Sequence, residues 1–247
     1  MKVMDKELPI EGVVKQMFDL GAHFGYARES RHPSTKPFLF GLKNKTVIID
    51  LEKTAESLEK VCLFAKSLGV AKKPIIFVGT KKEACGPIRS VALEAGLPYV
   101  DERWIGGTLT NFREIRKRID RLVDLQDQEA KGELTKYTKK ERGVIAKEVS
   151  NLDRYFTSLV TLTKLPGAVF VIDPKKEAIA VAEAQKVKVP VIALANSDCN
   201  IDGLTYPIVG NDAQMKVIKY FAQAIADAYL DGVKEGEVIK ETPVTPA

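Results

Sequence analysis

Residues 74–96 read PIIFVGTKKEACGPIRSVALEAG. Ile75 to Val78 are apolar without a break, as a strand covered on both faces requires. After Gly79 the apolar residues change to helical spacing, and Gly96 falls where that helix should stop. Strand, glycine turn and helix in this order make one unit of an α/β fold. The same pattern recurs outward in both directions. TVIID (46–50), AVFVID (168–173) and VPVIALA (189–195) are further short β-branched runs. Between them lie LEKTAESLEKVCLFAKSLG (51–69), with Gly69 at its expected end, and PKKEAIAVAEAQKV (174–187), both with helical periodicity. The expected fold is α/β and doubly wound, a mainly parallel sheet flanked by helices. A last helix is expected in NDAQMKVIKYFAQAIADAYLDG (211–232), with the Asn211–Asp212 pair able to cap it. FVGTKKEA (77–84) and FVIDPKKEAIA (170–180) echo each other, as units built by the same rules do.

The alternation breaks after DERWIGGTLTNF (101–112), which holds the only tryptophan. From there Leu109, Phe112, Ile115, Ile119 and Leu122 recur at three and four. Past the polar turn EAKGELTKYTKKE (129–141), Ile145, Val149, Leu152, Phe156 and Leu159 continue as a heptad seam. Thr138 and Glu141 have the spacing of a capping box. Two complementary seams predict an inserted antiparallel coiled-coil helical hairpin over 108–163, reaching roughly 30 Å at 1.5 Å per residue. The α/β domain is then discontinuous, 1–107 and 164–232, with a flexible tail over 233–247.

Composition excludes several classes. At 247 residues the chain is long enough for a full core. No apolar run approaches the roughly 18 residues that span a bilayer. MKVMDKELPIEG at the start lacks a signal core, so a cytoplasmic protein is expected. Three scattered cysteines form neither a disulfide framework nor a zinc pattern. A net charge of +5 suits a polyanionic partner without requiring one.

Catalytic motifs are wanting. The turn Gly79, Thr80, Lys81, Lys82 lies where open sheets bind ligands, yet neither a Walker loop nor G-x-G-x-x-G is present. Cys85 near the following helix start reads as a packed residue, and His23 as a structural hydrogen-bonder. Asp173, Asp198 and Asp202 follow strands, and Asp173 before Pro174 reads as a helix cap. No nucleophile, base and orienter share a meaningful spacing. No cofactor, metal or small-molecule substrate is expected. The rival is a nucleotide- or sugar-phosphate-binding enzyme using Lys81, Lys82 and Asp173, and a third possibility is a coiled-coil adaptor.

The basic segment YARESRHPSTKPFLFGLKNK (26–45) is more telling. Arg28, Arg31, Lys36, Lys43 and Lys45 stand against one acid, with Tyr26, Phe38 and Phe40 interleaved. Cations among aromatics suit phosphate neutralisation and base stacking. Its prolines and few apolar residues predict an ordered loop or partner surface outside the core. Arg113, Arg116, Lys117, Arg118 and Arg121 add charge to the first hairpin helix, and Lys136, Lys139, Lys140 and Arg142 to its tip.

GAHFG (21–25), KPFLFGLKNKTVIIDLEKT (36–54), FVGTKKEA, ERWIGGTLTNF (102–112), LPGAVFVID (165–173) and YPIVGND (206–212) resemble, in order and spacing, the bacterial small-subunit ribosomal protein S2 family. The resemblance implies a parallel α/β domain with a protruding hairpin and a non-catalytic role. It also implies a place in the small ribosomal subunit, contacts to its 16S rRNA and neighbouring ribosomal proteins, and no membrane. Candidate rRNA contacts are then Arg28, Arg31, His32, Lys36, Lys43, Lys45, Lys81, Lys82, Arg103, Arg113, Arg116 and Arg118. Trp104, Gly106 and Gly107 become the hinge that braces the arm. The chain departs from the family pattern in Tyr26, where HFGH is common, and in Arg31 to Thr35, where Trp-Asn-Pro-Lys-Met is common. NSDCNID (196–202) carries fewer acids than the family's usual run there.

Overall fold

A computed structural model describes residues 10–241; the first nine residues, and 242–247 of the expected tail, lie outside the described residues. Five parallel strands make the main sheet: β4 (Ile75–Val78), β5 (Tyr99–Val100), β6 (Ala168–Ile172), β7 (Val191–Ala195) and β8 (Tyr206–Val209), in the order β5-β4-β6-β7-β8. Alternate residues of each strand enter different cores, because successive side chains point to opposite faces. Ile75, Phe77, Phe170, Ile172, Ile192 and Leu194 join one apolar cluster with α1 (Ile10–Asp19), α2 (Leu51–Val70), α3 (Lys82–Ala95) and α7 (Met215–Glu241). Ile76, Val78, Val169, Val171, Val191 and Ala193 join the other, with α4 (Phe112–Ala130), α5 (Lys139–Phe156) and α6 (Ala178–Lys186). Helices on both faces explain why these strands are apolar throughout.

TVIID does not belong to this sheet. As β3 (Thr46–Ile49) it lies between β1 (Phe24–Ala27) and β2 (Leu39–Lys43) in a separate antiparallel sheet. Val47 and Ile49 are buried while Thr46 and Ile48 are half-buried, the pattern of a strand with one covered face. An apolar run shows a strand but not the sheet that receives it. The basic segment accordingly is not a loop: it forms β1, two 3₁₀ turns and β2. Strand β8, which contains Pro207, has no counterpart among the predicted strands. Pro207 is tolerated because β8 is at the sheet edge.

Two glycines expected to end helices behave differently. Gly96 ends α3 in the left-handed conformation, φ 65°. Gly69 lies inside α2, where a Cβ would sit 2.1 Å from the Tyr229 carbonyl oxygen of α7. Gly232 is its counterpart, a Cβ there falling 2.0 Å from the Lys66 carbonyl oxygen. The backbones of α2 and α7 touch, and only glycine permits that. Residues 233–241, expected in the tail, continue α7 along α2, with Gly236 close to the Val70 backbone. Asp212 does not cap α7, which begins at Met215; the Asn211 side chain instead accepts from the Ala213 N–H.

Between β5 and β6 the chain forms α4 and α5, joined through a 3₁₀ turn at Glu133–Lys136. Ile115, Ile119 and Leu122 are buried, as their spacing predicts, with Leu125 extending the stripe. On α5, Val149 and Leu152 are half-buried and Phe156 is buried. Thr138 and Glu141 form the capping box. Arg121 and Gln126 of α4 reach Glu148 and Asp153 of α5.

A cationic surface on a side-chain brace: candidate nucleic-acid interface

The hairpin between β2 and β3 turns through Asn44 and Lys45, both with positive φ (51° and 65°), while Lys43 pairs with Thr46. Two left-handed residues make the tight turn whose twist matches the flanking strands. The Arg28 N–H donates to the Lys45 carbonyl at 3.0 Å, so Arg28, Lys43 and Lys45 meet at one end of the small sheet. Between β1 and β2, Arg31 just after the first 3₁₀ turn and Lys36 within the second are exposed. Of the three interleaved aromatics, only Phe40 is open, at 81% exposure. Phe38 packs against the small apolar cluster that holds Ile49, Ala195, Cys199, Ile201 and Val209, and Tyr26 is half-buried. Phe24, outside the segment singled out in the sequence, is 45% exposed with its ring against His23.

This surface is held down by the ends of the parallel strands. Ser197 Oγ accepts from the Tyr26 N–H at 2.9 Å, and its carbonyl accepts from the His32 N–H at 2.8 Å and from Thr35 Oγ1 at 3.0 Å. Ser34 Oγ accepts from the Ile201 N–H. The run NSDCNID thus clamps the basic segment. His32 Nδ1 caps the 3₁₀ turn by accepting from the Ser34 N–H, so it is spent locally. The structural hydrogen bond expected of the His23 ring is not seen at its buried Nδ1, which has no partner among the described residues; the ring stacks on Phe18 at 4.4 Å and lies tilted against Phe24 at 4.0 Å. Burial, with Lys43 nearby, lowers its pKa, which favours the neutral ring.

Lys81 also turns inward. Its Nζ donates to Asp212 at 2.8 Å, to the Tyr26 hydroxyl at 3.0 Å and to Asp173 at 3.4 Å. Its side chain is 16% exposed and that of Asp212 is fully buried. Burial opposes the ammonium, but Asp212 and Tyr26 outweigh it and raise its pKa. Burial pushes the Asp212 carboxyl up, and hydrogen bonds from Lys81 and Asn196 pull against that. Sheet order reverses between β4 and β6, where a doubly wound enzyme would bind its ligand. Here the chain's own groups occupy that crevice: Lys81 with Asp173, Thr80 Oγ1 donating to Glu177, and Lys176 donating to the Thr80 carbonyl. Lys82 is exposed at the start of α3. Cys85 Sγ lies against the carbonyls of Lys81 and Asp101, and burial raises its pKa, the inert environment expected of a packed thiol. Asp173 adopts φ 61° and accepts from the Lys176 N–H, while Asp198 pairs with Lys175.

Among the α4 candidates, Arg113 and Arg118 are exposed. Arg116 is not free: it donates to the Val160 and Leu162 carbonyls at 2.9 and 3.0 Å and pairs with Asp120 at 2.8 Å. Arg103 is exposed in the segment before α4. The next residue, Trp104, is buried, and Glu183 of α6 organises the turn that follows it. Its carboxylate accepts from the Gly107 N–H at 2.6 Å, the Leu109 N–H at 3.0 Å, the Thr110 N–H at 3.3 Å and Trp104 Nε1 at 3.4 Å. Gly107 has φ 94°, which favours glycine. Glu183 stands in an ordinary helical pattern, so nothing in the sequence singled it out.

The profile of the family Ribosomal protein S2 matches residues 17–232. The chain belongs to the ribosomal protein S2 family. Relatives named small ribosomal subunit protein uS2 share this span. The one from Chloroflexus aurantiacus is 37% identical over 238 residues, 96% of this chain and 100% of its own. The one from Coprothermobacter proteolyticus is 41% identical over 223 residues, 90% and 83% of the two chains. That from Dehalococcoides mccartyi is 39% identical over 218 residues, covering 88% and 89%. In this S2-family chain the brace of Lys81, Asp212, Tyr26 and Ser197 joins the small antiparallel sheet to the ends of the parallel one.

Proposed function

We propose that this chain is a structural, non-enzymatic constituent of the small ribosomal subunit that binds the subunit's rRNA through the exposed cations of its antiparallel sheet and of α4. Membership of the ribosomal protein S2 family carries the ribosomal role and its place in the bacterial cytoplasm. Neighbouring ribosomal proteins are further partners. One observation carries the interface: Arg28, Lys43 and Lys45 gather at one end of the small antiparallel sheet, with Phe40 open on β2. Cations fixed on a scaffold neutralise phosphates at little entropic cost, and an open ring offers a base a stacking surface. Arg31, Lys36, Lys82, Arg103, Arg113 and Arg118 extend the cationic set. Residues 108–163 act as a coiled-coil arm inserted into the α/β domain, with Trp104, Gly106 and Gly107 as its hinge. His32, Lys81 and Arg116 are brace residues, because each bonds to partners within the chain: His32 through its N–H and Nδ1, Lys81 and Arg116 through their cationic ends.

The test is binding to small-subunit rRNA over a salt series. The Arg28→Glu/Lys43→Glu/Lys45→Glu variant is expected to bind more weakly and with a flatter log–log salt slope. Each lost phosphate contact removes about 0.9 from that slope on duplex DNA, and less on structured RNA. An unchanged slope would mean that this surface faces solvent.

A further inference from the structure

We propose that a cleft at the amino ends of the parallel strands is a docking site for an acidic peptide segment with aliphatic side chains, supplied by a partner protein. The cleft lies at the opposite end of the strands from the cationic surface and its brace, and holds about 860 Å³. Pro74, Pro98 and Pro190 stand just before β4, β5 and β7, and all three line it. Proline has no N–H, and the carbonyls of these three already accept from the Gly167, Phe77 and Val169 N–H groups. The wall therefore offers few backbone polar groups. Leu68, Leu97 and Val189 supply an aliphatic floor, and Leu165 is 46% exposed at the edge.

Charge selects the occupant. Lys72 and Lys73 enter from one turn, and Lys164 and Lys188 from two others; among the described residues no acid lines the cleft. Lys72 is paired with Glu237 at 3.1 Å; Lys73, Lys164 and Lys188 are exposed, with no ion pair to a described residue. An apolar floor under an unneutralised lysine rim is complementary to alternating carboxylates and aliphatic side chains. RNA is the poorer match. No arginine lines the cleft, and its aromatic rings are engaged: Phe64 stacks on Tyr206 at 4.4 Å, and Tyr229 is buried. A base would find no open face. This inference stands apart from the rRNA reading, since the two use different residues.

The experiment measures binding of a fluorescent peptide of alternating Glu and Leu to the full chain. An oligoglutamate peptide of equal length and a short single-stranded RNA serve as competitors. Saturable binding is expected, at least about tenfold weaker for Lys73→Glu/Lys164→Glu/Lys188→Glu and weakened also by Leu165→Ser. Lys73→Gln/Lys164→Gln/Lys188→Gln replaces the first variant should that one melt earlier than wild type. The proposal is overturned if the Glu/Leu peptide does not saturate, or if oligoglutamate binds as well, which would mean charge alone. Displacement of the peptide by RNA at lower concentration than by oligoglutamate would overturn it in favour of a nucleic-acid face. Throughout, the Arg28/Lys43/Lys45 variant should bind the peptide as wild type does, which separates this outcome from failure of the rRNA reading.

Discussion

Glu183 shows what one buried side chain can organise. Three backbone N–H groups and the Trp104 indole converge on its carboxylate. Glu183→Ala leaves those donors without an acceptor, and a loss of about 3 kcal/mol is expected in urea unfolding, with m unchanged. A loss under about 1 kcal/mol would mean that water takes the place of the carboxylate. Burial pushes the Glu183 pKa up, but the bonds from Gly107, Leu109, Thr110 and Trp104 outweigh it and hold the value below normal. A carboxyl with a depressed folded pKa gives stability that is full above its unfolded value, about 4.3, and is lost as pH falls through the folded value. The stability difference between wild type and Glu183→Gln should therefore shrink below about pH 4. A difference constant from pH 7 to 3 would show that ionisation of Glu183 does not contribute.

Helix packing gives predictions of opposite sign for one substitution. Gly69→Ala or Gly232→Ala places a methyl about 2 Å from a carbonyl oxygen of the facing helix. The two helices must separate, at a cost of about 3 kcal/mol or more. Gly143→Ala, inside α5 with nothing within 4 Å, should stabilise by roughly 0.5–1 kcal/mol through helix propensity. Thermal melts of the three variants decide this, and equal shifts would refute the close crossing of α2 and α7. The capping box that starts α5 contributes about 1 kcal/mol, which Thr138→Ala should remove.

For the whole molecule, Lys81 joins two sheets. Tyr26 comes from the antiparallel sheet, Asp173 from the end of β6 and Asp212 from beyond β8. Lys81→Ala leaves Asp212 charged and buried without its cation, at an expected cost of about 3–5 kcal/mol. The Lys81→Ala/Asp212→Asn double variant should recover part of that loss, since it removes the stranded charge. If the two single losses simply add, the pair is not coupled. Because the brace sets the small sheet on the large one, Lys81→Ala should weaken rRNA binding with little change in its salt slope. Loss of the surface cations should flatten the slope instead.

The main strands were legible because a strand buried on both faces must be apolar at every position, and Ile75–Val78 and Ala168–Ile172 are. The capping box and the α4 stripe were legible for the same kind of reason, since both are local spacings. So was the cationic character of 26–45. Tertiary structure alone decided which sheet received TVIID, because an apolar run does not name its neighbour. It also decided that Gly69 is a crossing point, since α7 brings a carbonyl there, and that Lys81 and Arg116 are internal ties while Lys43 and Lys45 are exposed. A lysine's charge is written in the sequence. Whether that charge faces a buried aspartate or open solvent depends on residues more than a hundred positions away, such as Asp212, and only folding brings them together.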